Sequence, residues 1–371
     1  MTNGSDKAGK PDLELELAKK LANSESPLIS TQGISDEQRE EFRQAQECLD
    51  LLQFTFPTTD SLKDDNDNAR DSTIRVAADE SAFDFNRITT IDKAPGRIGK
   101  FRVEKEVGRG GFGIVLLAHD ESLERKVALK IPRAETLSSE ESCKRFQREA
   151  KAAGILSHPA IVPIYESGII GPINYIAFAF CEGLSLDDWL KKQDGQIEPN
   201  LAAKIVAQLA DAVSHAHRRG VIHRDLKPTN ILIDSQATNP SNDELIQAIR
   251  ITDFGLATLN TDDQQLTAEG ALVGTPAYMS PEQAQGLNQN SPANDIYALG
   301  VILFQLLTGN LPFTGKSNLA IIKAVVDDPA PSPATIRPQV SRDLAAICLK
   351  CLEKKASDRY ETALELSLIH I

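Results

Sequence analysis

One short stretch holds a carboxylate, an ammonium and an amide at fixed offsets: His223-Arg224-Asp225-Leu226-Lys227-Pro228-Thr229-Asn230. Asp225 can act as a general base, Lys227 can neutralise a phosphate, and Asn230 can offer an amide oxygen to a metal ion. Phosphoryl transfer needs these parts, because its catalysis is mostly positioning and charge neutralisation. Asp253, in Asp253-Phe254-Gly255, can supply a second metal oxygen, and Gly255 allows an abrupt change of direction. Taken alone, the first stretch could equally be a charged surface turn. The chemistry requires the rest of a nucleotide site elsewhere in the chain.

The elements around these residues are legible. Ala202 to Ala216 is an apolar-periodic run that predicts a helix leading into the loop. Ile231-Leu232-Ile233 and Ile249-Arg250-Ile251 predict two short strands that hold Asn230 and Asp253 at their ends. The residues between them, 235–248, are too many for a hairpin turn and predict a surface insertion. Upstream, 101–107, 114–117, 127–131, 161–165 and 175–180 predict strands, and 138–156 predicts a helix with Phe146, Ala150, Ala153 and Leu156 on one face. A small β-rich part is thus followed by a larger helical one, from Leu184 onward.

Gly108-Arg109-Gly110-Gly111-Phe112-Gly113 lies between the first two strands. A dinucleotide fold needs such glycines to open a helix, and here a strand follows. A glycine-rich hairpin can instead fold over phosphates, since no Cβ blocks the approach of its backbone N–H groups. Lys130 ends an apolar strand, and a lysine there needs an anionic partner. Glu149 is the candidate, with local pairing to Lys144, Arg145 or Lys151 as the alternative.

The whole chain has 371 residues and a net charge of −13. Residues 1–95 hold 20 acids and 11 bases, so 33 acids and 29 bases remain for the rest. This balance argues against nucleic acid as a partner. In the acidic quarter, 36–53 predicts a helix opened by the Ser35 and Gln38 capping-box pattern, and 58–95 predicts a disordered linker. Five cysteines without a framework spacing point to a reducing compartment, and Cys348 and Cys351 fit one apolar helix face better than a redox pair. No apolar run reaches membrane-spanning length.

Together the parts resemble the eukaryotic-like (Hanks-type) Ser/Thr protein kinases, most closely the bacterial kind, from about residue 100 to 371. Beside the motifs already quoted, Val127-Ala128-Leu129-Lys130 stands where the family has V-A-I-K. Ser280-Pro281-Glu282 stands for A-P-E, Asp295 for the aspartate that braces the catalytic loop, and Arg359 for the arginine that pairs with Glu282. The resemblance implies an α+β, two-lobed protein-kinase fold, with a small β-rich N-lobe and a larger helical C-lobe. The expected division is 1–95 as an acidic, partly helical and partly disordered extension and 96–371 as the kinase domain. The apolar end Ser367-Leu368-Ile369-His370-Ile371 reads as a final helix cut short.

The resemblance also implies roles. Lys130, held by Glu149, would bind the phosphates of ATP. Gly108, Gly110, Gly111 and Gly113 would shape the lid over them. Val115 and Ala128 would pack on adenine, with backbone groups of Ala179 and Cys181 in the hinge and Phe178 as gatekeeper. Asn230 and Asp253 would hold Mg²⁺. Asp225 would deprotonate the acceptor hydroxyl while Lys227 neutralises the transferred group. Lys227-Pro228 and Gly274-Thr275 resemble the Ser/Thr-specific form.

The partners implied are proteins carrying serine or threonine, with a transient homodimer serving autophosphorylation. The expected location is cytoplasmic, or membrane-anchored through a downstream segment. Arg224, beside Asp225, is expected to lack an anion until Thr267 is phosphorylated. Thr275 is expected to contact the catalytic aspartate instead. A pseudokinase scaffold would lack Lys130, Asp225, Asn230 or Asp253, and all are present. A small-molecule kinase is disfavoured by Thr275 and the Ser280-Pro281-Glu282 segment.

Overall fold

The computed structural model describes residues 96–369, apart from 111–112, 134–136, 138, 171–172, 194–196, 235–240, 256–275 and 288–289. The expectations for 1–95, including the helix at 36–53 and Cys48, lie outside the described residues, as do those for Gly111, Thr267 and Thr275.

The N-terminal part is one antiparallel sheet. Its strands are β1 (Arg97–Ile98), β2 (Phe101–Gly110), β3 (Gly113–Asp120), β4 (Arg125–Pro132), β5 (Ile164–Ile170) and β6 (Ile173–Ala179), in the order β1-β2-β3-β4-β6-β5. Alternation along β2 to β4 turns Phe101, Val103, Ile114, Leu116, Val127 and Leu129 into one buried cluster with Tyr175. The other face of the sheet receives helix α1 (Glu140–Gly154) through Phe146 and Ala150, which pack with Val162, Ile176 and Phe178. Ser139 starts that helix with a capping box closed by Ser142.

The strand expected at 161–165 begins only at Ile164. Pro163 has no N–H to give a ladder. The Val162 N–H goes instead to the carbonyl of Ile251, and the Ile251 N–H to that of Ala160, so 160–162 docks on the C-terminal part.

There the organising element is α3 (Pro199–His217), which follows β7 (Leu184–Ser185) and α2 (Leu186–Lys191). Pro199 fills the first helical position and the Glu198 side chain caps the Leu201 N–H. Its buried Leu209 and Val213 share a core with Leu299, Ile302, Leu303 and Leu306 of α6 (Pro292–Thr308), which ends at Gly309 in the left-handed conformation. Strands β8 (Ile231–Ile233) and β9 (Ile249–Ile251) pair with each other as expected, β7 pairs with the other edge of β8, and the insertion between β8 and β9 holds α4 (Asn242–Ala248). Short α5 (Pro281–Ala284), α7 (Asn318–Asp327), α8 (Pro333–Ile336), α9 (Arg342–Cys351) and α10 (Ala363–Ile369) complete the lobe.

Cys348 and Cys351 are fully buried and carry free thiols. A Cβ on Gly300 would sit 2.5 Å from that of Cys351, so the pair serves the close packing of α9 on α6. Among the described residues no helix is long and apolar enough to cross a membrane.

Candidate active site

Asp295, in the first turn of α6, builds the catalytic loop from below. It is fully buried, yet its carboxylate accepts from His217 Nε2 at 2.7 Å and from the backbone N–H groups of His223 and Arg224, both at 2.9 Å. Burial would raise its pKa, but these bonds and the neighbouring histidines hold it below the usual range. His223 accepts from the Asp225 N–H at Nδ1, so its Nε2 carries the proton and donates to the Thr252 carbonyl, 2.9 Å away. The loop is thereby tied to the segment carrying Asp253. The Thr252 N–H makes a second tie, to the Asn230 carbonyl.

This bonding holds Arg224 at φ 71° and Asp253 at φ 65°. Left-handed backbone is uncommon for such residues and persists where the surroundings over-determine it.

The polar ends converge. Lys227 Nζ lies 3.0 Å from Asp225 Oδ2, and Asn230 Nδ2 donates to the Asp225 carbonyl at 2.8 Å and to Oδ2 at 3.3 Å. With its amide NH₂ used on Asp225, Asn230 has its side-chain oxygen left for another partner. That oxygen and the Asp253 carboxylate are the hard donors a magnesium ion prefers, so the residues fit the metal that the fold implies.

Asn230 and Asp253, with Lys130, form the polar end of a cleft of about 600 Å³, its open mouth included, lined also by Val115, Ala128, Phe178, Ala179 and Cys181; Asp225 and Lys227 adjoin it through Asn230. Val107, Val162, Leu232 and Thr252 line it too, although nothing in the sequence singles them out as site residues. For Leu232 the signal is strand alternation, which turns it away from the core that buries Ile231 and Ile233; Val162 and Thr252 lie outside the strands and carry no such signal. Among the described residues, no acceptor meets the N–H of Cys181, which is left for a ligand in the cleft. Gly108 and Gly110 end β2 opposite Val115 and Gly113. Gly113 has φ 137°, and a Cβ there would meet the Ile131 carbonyl of β4 at 2.0 Å, so the start of β3 lies against β4 only with glycine.

One expected pair is absent. Lys130 does not meet Glu149; its Nζ lies 2.8 Å from Asp253 Oδ1, and Glu149 faces Arg224 Nη1 at 3.6 Å. Lys130 is nearly buried and takes the anion that β9 brings beside it, while α1 places Glu149 over the catalytic loop. The expectation that Arg224 lacks an anion is corrected likewise: it has Glu149, and it also donates to the Gly255 carbonyl. Glu149 is poorly served there. Its Oε2 is buried without a hydrogen bond, and burial outweighs the nearby arginines, pushing its pKa from 4.5 to about 7.

Below the loop, Arg359 grips Glu282 with both ends, at 2.7 and 2.8 Å, and donates to the carbonyls of Ala293, Glu353 and Lys354. Gln283, in the same helix as Glu282, donates to the Arg224 carbonyl at 2.8 Å.

Residues 101–367 match the family model described as protein kinase domain. The chain is similar to the serine/threonine-protein kinase PrkC of Bacillus subtilis, with 38% identity over 265 residues, covering 71% of this chain and 39% of that protein. It is similar to the serine/threonine-protein kinase PknB of Mycobacterium leprae, with 39% identity over 70% of this chain and 40% of that protein. It thus spans well under half the length of these curated relatives. In structure it resembles the PknI kinase domain of Mycobacterium tuberculosis, with a TM-score of 0.57 and 22% identity, covering 74% of this chain and 96% of the other. The motif order, the two-lobed architecture and the family match agree: the chain belongs to the protein kinase family, of the bacterial Hanks type.

Proposed function

We propose that the chain transfers the γ-phosphoryl group of ATP to serine or threonine hydroxyls of proteins. The observation that carries this is that Lys130, Asn230 and Asp253 form the polar end of one apolar-walled cleft, with Asp225 hydrogen-bonded to Asn230 and Lys227 beside Asp225. Val115 and Ala128 would hold the adenine, with the hinge backbone at Ala179 and Cys181 along its edge and Phe178 behind it. Gly108, Gly110, Gly111 and Gly113 would cover the phosphates. Asn230 and Asp253 would hold Mg²⁺, which supplies charge neutralisation to the phosphates when bound. Asp225 would take the proton of the acceptor hydroxyl, and Lys227 would face the transferred group.

The same site explains why autophosphorylation would activate it. A phosphate on Thr267 brings about −1.5 to −2 charges and outbids a single carboxylate for Arg224. Glu149 is then released to meet Lys130, and Lys130 leaves Asp253 to the metal. A transient homodimer would let one copy modify the other. Thr275 would contact the catalytic aspartate. Residues 1–95 would act as a regulatory tether outside the catalytic domain.

The test is incubation with ATP, Mg²⁺ and a generic basic protein, with phosphosites mapped by mass spectrometry. Phosphoserine and phosphothreonine appear on the acceptor, phosphate appears on Thr267, and Thr267→Ala lowers the rate. Asp253→Asn, near-isosteric but without the charge, nearly abolishes transfer. Wild-type turnover in folded Asp253→Asn would remove the assignment, and a fully active chain without phosphate between 256 and 276 would remove the Thr267 step.

A further inference from the structure

Two residues outside the cleft are joined to its hinge. The Glu182 N–H, at the end of the segment that links the two lobes, donates to Asp234 Oδ1 at 3.2 Å. Asp234 Oδ2 accepts from Arg250 Nε at 3.0 Å. Arg250 Nη1 reaches the carbonyl of Pro159, in the other segment that crosses between the lobes. That segment is itself laid on β9 by the bonds of Ala160 and Val162 to Ile251. One guanidinium and one carboxylate thus connect both interlobe crossings to the β8–β9 pair. Both groups lie close enough to Cys181 to act on its thiol in opposite directions.

We propose that Asp234 and Arg250 are positioning residues for the nucleotide, a role that rests on ATP occupying the cleft. Acting through the Glu182 N–H, they fix the hinge backbone against Leu232, which lines the opposite side of the cleft. Without them the hinge amides keep their covalent path but lose their lateral anchor, and the adenine edge meets a looser set of donors. Pre-organisation of that kind is a binding effect and leaves the reacting atoms at Asp225 untouched.

The pair is not what holds the lobe together. Ile231, Ile249 and Ile251 are fully buried beneath it, whereas the side chains of Asp234 and Arg250 are 31% and 29% exposed. An ion pair so exposed contributes little to stability by charge alone. The geometry also separates the two residues from each other. Asn at 234 retains the oxygen that receives Glu182. Lys at 250 keeps the charge but has no second nitrogen to span Asp234 and Pro159.

The experiment measures ATP dissociation constants by calorimetry, KM for ATP, kcat and melting temperature for the wild type and for Asp234→Ala, Asp234→Asn, Arg250→Gln and Arg250→Lys. Loss of one such hydrogen bond predicts that Asp234→Ala weakens ATP binding and raises KM for ATP about fivefold, with kcat within about twofold. Asp234→Asn lies nearer the wild type, and both Arg250 variants fall between it and Asp234→Ala. Unchanged ATP affinity in the variants overturns the role. So does a loss that tracks melting temperature and falls on kcat and KM alike. A wild-type chain that binds no ATP overturns the nucleotide reading of the cleft and this role with it.

Discussion

Replacing Glu149 by glutamine separates the cost of the observed arrangement from its use in catalysis. Glu149 is held beside Arg224 with one oxygen buried and unbonded, and its pKa stands at about 7 instead of 4.5. That difference corresponds to about 3 kcal/mol in favour of the protonated carboxyl. The folded pKa is raised, so below pH 4.5 folded and unfolded chains both hold the proton and no penalty exists. As pH climbs from 4.5 to 7 the unfolded chain releases the proton first and stability is lost. Above 7 the folded chain carries the full penalty. Glutamine has no proton to lose. The attraction to Arg224 exists only for the ionised carboxylate and is already contained in the raised pKa, so the informative quantity is how the variant's stability relative to wild type changes with pH.

That relative stability rises by about 3 kcal/mol between pH 4.5 and pH 8, or roughly 6–12 °C in melting temperature for a domain of this size. The figure is an upper bound, since the carboxylate can swing from Arg224 to Lys130 and recover part of the cost. Phosphoryl transfer falls in the same variant, because Lys130 loses the partner proposed for its working state. The assay is thermal unfolding across that pH range, with turnover at pH 8. A stability difference that stays flat with pH would refute the account of Glu149.

Two further outcomes follow from the ion pairs and the domain boundary. Arg359→Ala strips Glu282 of both its bonds and leaves three carbonyls without their donor, a loss of about 3–5 kcal/mol in a denaturant melt. Because Arg359 holds the Glu282 pKa down, wild-type stability is lost as pH falls through that lowered value, and the variant lacks this acid transition; equal acid profiles would count against the pair. A chain beginning at Pro95 folds and keeps its turnover, measured by unfolding and by phosphate transfer; insolubility or a collapsed melting temperature would place 1–95 within the core.

How much was legible depends on whether a residue acts through its neighbours in sequence or across the fold. Asp225, Lys227 and Asn230 share one loop, and local spacing alone puts them together. Arg359 and Glu282 are 77 positions apart, yet each sits in a recognisable motif, and the expected pair is present. Lys130 and Glu149 each stand in a motif too, but their pairing depends on how α1 lies against the sheet, and nothing local to either residue encodes that. Asp234 and Arg250 carry no motif at all. Their meeting is a consequence of strand register, in which Leu232 faces Arg250 and the insertion returns the chain beside its start.

The exchange of partners around Lys130 has a physical consequence under the proposed function. Four charges are involved, two acids and two bases, and every one is paired in the observed state: Lys130 with Asp253, Arg224 with Glu149. The proposed working state would pair Lys130 with Glu149 and so break both pairs, leaving Asp253 without Lys130 and Arg224 without Glu149 in a partly buried site. Mg²⁺ would replace the partner of Asp253, and a phosphothreonine that of Arg224. The two additions would therefore be complementary, each replacing one of the two pairs that were broken. Activation by phosphate on the loop should accordingly be steeper when metal and nucleotide are present. In their absence the same phosphate finds Arg224 but leaves Asp253 competing with Glu149 for Lys130.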